Sequence, residues 1–244
     1  MHHAKVHQIC SAFLCAMRIH LLDDGMEFPP VADAGEEGLL AVGGDLSPAR
    51  LLAAYEHGVF PWFMEEDPIM WWSPPVRAML PLDALRVSKS MRNVLNQKRL
   101  RVTMDQDFEG VIRGCQRAPR DGEGTWISDE VVEAYLKLHE LGSAHSVEVW
   151  QGDALVGGLY GVSIGRMFFG ESMFSSASNA SKVALIHLVG WLRAKGFGPL
   201  DCQIMNPHLE SLGAELWSRE AYQEALQRCL HADVTLMGPW HEVK

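Results

Sequence analysis

The chain has 244 residues, 48% of them hydrophobic, enough to fill one large domain or two small ones. Its formal net charge of -10 excludes generic binding to nucleic acid or to anionic membranes, which needs a positive field at the contact, and leaves only a local patch for such a partner. Five scattered cysteines, odd in number and without a C-x-x-C pair, fit neither a disulfide framework nor a zinc site, so a reducing cytoplasm is expected.

Residues 1–27 read as a variable or disordered lead-in. Ile9 to Met17 is mildly apolar but too short for a membrane span, His20 to Asp24 offers no cleavage site, and His2, His3, His7 and His20 lack the spacing of a metal site. Order is expected from Phe28. Ser47-Pro48 starts a short helix with proline at its first position, and His57-Gly58 stops it. Phe60, Trp62, Phe63, Trp71 and Trp72 follow, broken by Asp67-Pro68, which predicts an aromatic loop or edge strand. The rings either cement packing or stack on a nucleotide base.

Six basic residues, Arg86, Lys89, Arg92, Lys98, Arg99 and Arg101, then stand together without one acidic neighbour. On an acidic body such an island is what a local phosphate contact requires, and Arg113, Arg117 and Arg120 extend it in sequence. Asp105 is placed to cap a helix with Phe108, Val111, Ile112 and Cys115 inward, and Ser128 to cap one with Val131, Tyr135 and Leu138 inward, ending at Gly142. Ser146 to Trp150 alternates as a strand, and Gln151-Gly152-Asp153 turns into the next.

From Leu155 to Met205 the pattern reads strand, strand, helix, strand. Val156 to Val162 and Met167 to Ser172 are the paired strands; Leu185, Leu188, Val189 and Leu192 mark the helix, with Ser178 or Asn179 as cap and Lys195-Gly196 as stop. In the last strand, Leu200, Cys202 and Ile204 are expected on one face and Asp201 and Gln203 on the other. On pattern alone these two are an ordinary wet strand face, but Glu171, in an apolar strand nearby, needs water or a polar partner. Ser218 to Leu230 reads as a final helix with Tyr222, Ala225, Leu226 and Cys229 inward.

Phe169-Gly170-Glu171-Ser172-Met173-Phe174-Ser175, Asn179-Ala180-Ser181-Lys182 and Asp201-Cys202-Gln203 resemble the core of leucyl/phenylalanyl-tRNA protein transferases. Gly38 to Leu46, Gly58 to Phe63, Trp71 to Pro74, Gly124 to Ile127 and His139 to Ser146 are similar to the family's earlier segments, so the likeness runs from about Phe28 to Tyr222. It implies an α+β fold, with a small N-terminal domain over 28–75 and an acetyltransferase-like (GNAT-type) mixed-sheet domain over 76–244. The implied activity moves Leu or Phe, with Met as a further donor, from aminoacyl-tRNA to the α-amine of proteins beginning with Arg or Lys, which marks them for N-degron proteolysis. A cytoplasmic monomer is expected, without metal, cofactor or membrane.

By this resemblance Asp201 and Gln203 are the catalytic pair. A neutral amide is a poor base, so Gln203 is assigned to orienting the amine or carbonyl, Asp201 to polarising the site, and Glu171 to holding Gln203 or meeting the cationic N-terminal residue. Leu159, Phe168, Leu188, Leu192 and Leu200 are expected to line the donor side-chain pocket. Trp62 is placed near the tRNA's terminal adenosine, and Arg86, Lys89, Arg92, Lys98 and Arg99 on its phosphates. An aminoacyl ester is already a reactive donor, so positioning and oxyanion stabilisation suffice without a covalent nucleophile. Two alternatives are an acyl-CoA-dependent N-acyltransferase, for which the sequence has no Q/R-x-x-G-x-G/A loop, and a non-enzymatic tRNA-binding protein.

Overall fold

The computed structural model describes residues 19–119, 125–231 and 238–240. Two compact units divide between Pro75 and Val76.

In the first unit, strands β1 (His20–Leu22), β2 (Leu39–Gly43), β3 (Phe60–Pro61) and β4 (Met70–Trp72) form a sheet in the order β1-β2-β4-β3. β1 runs parallel to β2, so part of the expected lead-in is a strand; its three residues are too few for any period to show in sequence. His20 lies in β1 with Nε2 3.2 Å from Asp33, whereas His2, His3 and His7 fall outside the described residues. Helix α1 (Pro48–His57) has the expected ends: Ser47 accepts from the Arg50 amide, and Gly58 takes φ 81. Trp71 is fully buried, donates from Nε1 to the Gly43 carbonyl at 2.8 Å and meets Phe28 edge-on at 5.1 Å.

The second unit is built on a seven-stranded mixed sheet in the order β11-β5-β10-β9-β8-β7-β6. Its strands are β5 (Val76–Leu80), β6 (Arg101–Met104), β7 (Ala144–Gln151), β8 (Ala154–Ile164), β9 (Met167–Ser175), β10 (Leu200–Gln203) and β11 (Glu215–Ser218). The helices are α2 (Lys89–Asn96), α3 (Phe108–Arg117), α4 (Asp129–Glu140), α5 (Ala180–Ala194), the short α6 (Pro207–Ser211) and α7 (Arg219–Leu230). β7, β8 and β9 meander antiparallel; α5 then crosses over and returns the chain as β10, parallel to β9. This meander, helix and returning strand make the acetyltransferase-type α+β arrangement.

Helices cover both faces of the sheet, and two adjacent glycines of β8 show how closely. A Cβ on Gly157 would stand 2.5 Å from Ala180 of α5, and one on Gly158 would stand 2.9 Å from Val111 of α3. Neighbouring residues in a strand point to opposite faces, so each glycine admits a helix to one side. The apolar stripes read from sequence are the buried ones: Phe108, Val111, Ile112 and Cys115 in α3, and Tyr222, Ala225, Leu226 and Cys229 in α7.

Two local expectations need correction. Asp107, not Asp105, caps α3, accepting from the Gly110 amide at 2.9 Å. Asp105 instead takes φ 53 and accepts from His145, from the Ser146 amide and from the Trp240 amide at 2.8, 2.8 and 2.7 Å. The alternation expected through Ile204 also breaks. Asp201 pairs with Met79 and Gln203 with Ala78, so Cys202 is the extra residue of a bulge, and Ile204 beyond it is 49% exposed.

Candidate active site

The bulge sets the site. Leu200 is buried in the apolar cluster beneath α5, with Cys202 packed against it, while Asp201 turns to the other face. There its carboxylate is fully buried and receives Arg77 Nε at 3.0 and 3.2 Å on its two oxygens and Arg77 Nη2 at 2.8 Å. The Tyr222 hydroxyl of α7 donates to the same carboxylate at 3.1 Å, and the Arg77 guanidinium lies 4.5 Å over the Tyr222 ring. Burial, the largest influence, opposes the Arg77 charge, yet Asp201 with Tyr222 and Glu171 together outweigh it and hold that pKa above its ordinary value; burial pushes the Tyr222 phenol well up, so it stays a donor.

Asp201 Oδ1 also accepts from the backbone amide of Gln203 at 2.8 Å. Gln203 sits at φ 60, the left-handed region that a non-glycine residue seldom adopts. Such strain costs about 1–3 kcal/mol and persists where the surroundings over-determine it. Here the Asp201 bond does so, and Asp201 is fixed in turn by Arg77.

The side chain of Gln203 is thereby aimed at Glu171. Its Nε2 donates to Glu171 Oε1 at 2.8 Å, and the Tyr135 hydroxyl of α4 donates to Glu171 Oε2 at 3.0 Å. A carboxylate only accepts, which fixes the amide orientation and makes Oε1 the acceptor that Gln203 has to offer. Glu171 occupies the bulge of β9 between Gly170 and Ser172. Two carboxylates and one guanidinium leave the constellation one charge negative, and of the carboxylates Glu171 is the half-buried one. Cys202 stays a thiol, because burial, and then the neighbouring Asp201, push its pKa up.

A model described as leucyl/phenylalanyl-tRNA protein transferase matches residues 79–227, and one for the N-terminal domain of the same family matches residues 44–75. The chain belongs to this family. It is 54% identical over 201 residues to the leucyl/phenylalanyl-tRNA–protein transferase of Flavobacterium johnsoniae, covering 82% of this chain and 95% of that one. Against the enzyme of the same name from Ectopseudomonas mendocina it is 53% identical over 219 residues, covering 89% and 96%. Among solved structures, L-PGS from Bacillus licheniformis shares 10% identity at a TM-score of 0.42, over 79% of this chain and 71% of that one. An aminoglycoside acetyltransferase from an uncultured soil metagenomic sample shares 12% at 0.34, over 61% and 99%.

For this transferase family member the structure gathers Glu171, Asp201 and Gln203, and adds three partners that sequence reasoning missed: Arg77, Tyr135 and Tyr222. Arg77 had a signal, as the one charge inside the apolar run Val76 to Leu80. Leu159, Phe168, Leu188, Leu192 and Leu200 are also brought together, all within 3% of full burial in the cluster between α5 and the sheet. Arg86, Lys89, Arg92, Lys98 and Arg99 are all exposed, along α2 and the turns flanking it. Arg113 does not extend this island: it is 2.5 Å from Asp129 and 3.6 Å from Glu109, which neutralise it, and Arg120 lies outside the described residues. In the first unit Trp62 is 43% exposed, meets Trp72 edge-on at 5.8 Å and accepts the Trp72 indole N–H on its carbonyl at 2.7 Å.

Proposed function

We infer that the protein transfers leucine or phenylalanine, with methionine as a further donor, from aminoacyl-tRNA to the α-amine of proteins that begin with Arg or Lys. The reading rests chiefly on the Gln203–Glu171 bond, which presents one amide oxygen beside one carboxylate. Gln203 Oε1 accepts from the attacking amine and orients its lone pair on the ester carbon, while Glu171 meets the positive charge of the acceptor's first residue. Asp201 is a positioning residue, since its oxygens are occupied by Arg77, Tyr222 and the Gln203 amide. Attack breaks the ester, and the 3′-terminal ribose hydroxyl leaves with the proton that the amine sheds. Positioning alone supports large accelerations, because the donor is already activated.

The domain over 28–75 would offer Trp62 to a base, and that over 76–244 the transfer chemistry. Leu159, Phe168, Leu188, Leu192 and Leu200 would form the apolar wall meeting the donor side chain, and the exposed cations from Arg86 to Arg99 the phosphate contacts. Cys115, Cys202 and Cys229 are free thiols, which supports a reducing, cytoplasmic setting; a monomer is expected. The test is purified protein with labelled Leu-tRNA and an Arg-initiated peptide, against acetyl-CoA as competing donor. Label should pass from tRNA to peptide. Acylation from acetyl-CoA alone would overturn the reading.

A further inference from the structure

On the side of α5 that faces α2 and β6 lies a groove of about 860 Å3, which none of the five candidate donor-pocket residues lines. Its floor is apolar, with Val102 and Met104 of β6 and Trp191 of α5, and its rim is polar, with Asn96, Lys98 and His187. Trp191 is held rigid from behind by Trp240, stacked on it at 4.0 Å.

Gly190 also lines the groove, inside a fifteen-residue helix. A glycine there weakens the helix relative to alanine, and folds keep one where φ is positive or a neighbour presses on the backbone. Neither holds at Gly190: its φ is not positive, and an added Cβ would meet nothing within 4 Å. The protein's own packing does not call for this glycine, so the open space over the α5 backbone suits an occupant that comes close to it.

The rim indicates its charge. Lys98, at φ 50, belongs to the run of six exposed cations between Arg86 and Arg101, which contains no acidic residue. An anionic group at the lip, joined to a flat, largely apolar body with hydrogen-bonding edges, is the chemistry of a nucleotide. We propose that this groove seats one unpaired nucleotide of the aminoacyl-tRNA acceptor end, upstream of the esterified terminal nucleoside, with its base over Gly190 and its phosphate at Lys98. This rests on the aminoacyl-transfer reading above. Asn96 and His187 border the same groove.

The experiment compares wild type with Gly190→Leu, which fills the groove without weakening the helix. Two donors are used with one Arg-initiated peptide: full Leu-tRNA, and leucyl-adenosine, which lacks every upstream nucleotide. The ratio of kcat/KM between the donors should fall roughly tenfold or more in the variant, as the loss of one base contact implies. An abasic substitution one or two nucleotides before the terminus should cost wild type a similar factor and cost Gly190→Leu little more. An unchanged ratio in a variant that melts at or above the wild-type temperature overturns the proposal and leaves a protein partner or a second copy of the chain for the groove. So does an abasic penalty that persists in full in Gly190→Leu. Wild type that uses neither donor would instead defeat the transfer reading itself.

Discussion

At Arg77 and Asp201 a guanidinium and a carboxylate are buried together, with side chains 1% and 0% exposed. Such a pair adds little net stability, but removing one partner strands the other charge in the interior at a cost of about 3–5 kcal/mol. Arg77→Met should therefore destabilise the fold by that order in denaturant titration. Arg77→Lys should recover only part of it, because one ammonium cannot reproduce two contacts to a carboxylate. A loss below about 1 kcal/mol for Arg77→Met would mean that water or another cation reaches Asp201. Gln203 differs, being half-buried and bonded to the half-buried Glu171. Gln203→Glu sets a second carboxylate against Glu171 and removes the N–H donor, so kcat for transfer should fall by about 100-fold or more, with the KM for Leu-tRNA nearly kept. A raised KM for Leu-tRNA with kcat unchanged would assign Gln203 to donor binding instead. Alternation in the sequence paired Asp201 with Gln203, but the bulge that turns them apart was not legible, since it depends on the register with β5, a strand more than a hundred residues earlier.

Helices were the most legible elements because their signals are local. Ser47 and Ser128 each cap a helix by accepting an amide three residues on, and the apolar stripes of α3, α4 and α7 recur at helical spacing, whereas α2, capped by Ser88, shows in sequence only as a run of cations. What lay hidden were bonds between distant elements. The Trp240 ring is sandwiched between His145 of β7 at 3.8 Å and Trp191 of α5 at 4.0 Å, and Trp240 N–H donates to Asp105. Trp240→Ala should accordingly cost about 3–5 kcal/mol, as loss of a buried aromatic does. In the same cluster His145 Nδ1 donates to Asp105 at 2.8 Å, while Nε2 is buried with no hydrogen-bond partner among the described residues. Burial lowers its pKa against the pull of Asp105, with His139 adding to the lowering. As pH falls below about 6.5 the unfolded chain takes up this proton before the folded one, and stability declines until the lower, folded pKa is reached. The decline should be at most about 1.4 kcal/mol per pH unit from this group and shallower in His145→Gln. Equal pH slopes in the two proteins would shift the dependence elsewhere, first to His208, whose pKa burial and Lys182 also lower.

Across the whole chain the charges oppose one another usefully. A net -10 would repel tRNA at long range, while on the function proposed above the six exposed cations between Arg86 and Arg101 would attract it over one short stretch. This asymmetry was legible in sequence because it needs only composition along the chain; what the fold adds is that Lys98 stands at the lip of the groove beside α5. The affinity then follows counterion release: each phosphate neutralised contributes about 0.7–0.9 to the slope of log K against log salt. Lys89→Gln combined with Arg92→Gln should flatten that slope for Leu-tRNA by roughly 1.5 and weaken binding most at low salt. Neither change touches the buried core, since Lys89 is exposed and Arg92 reaches only the Val87 carbonyl at 3.1 and 3.2 Å. The melting temperature should therefore stay within a degree or two, as surface substitutions ordinarily leave it. If affinity drops while the slope keeps its wild-type value, these residues act by shape and not by charge. If neither moves, the island is solvated surface, and the tRNA must find its phosphate contacts on another face of an otherwise acidic protein.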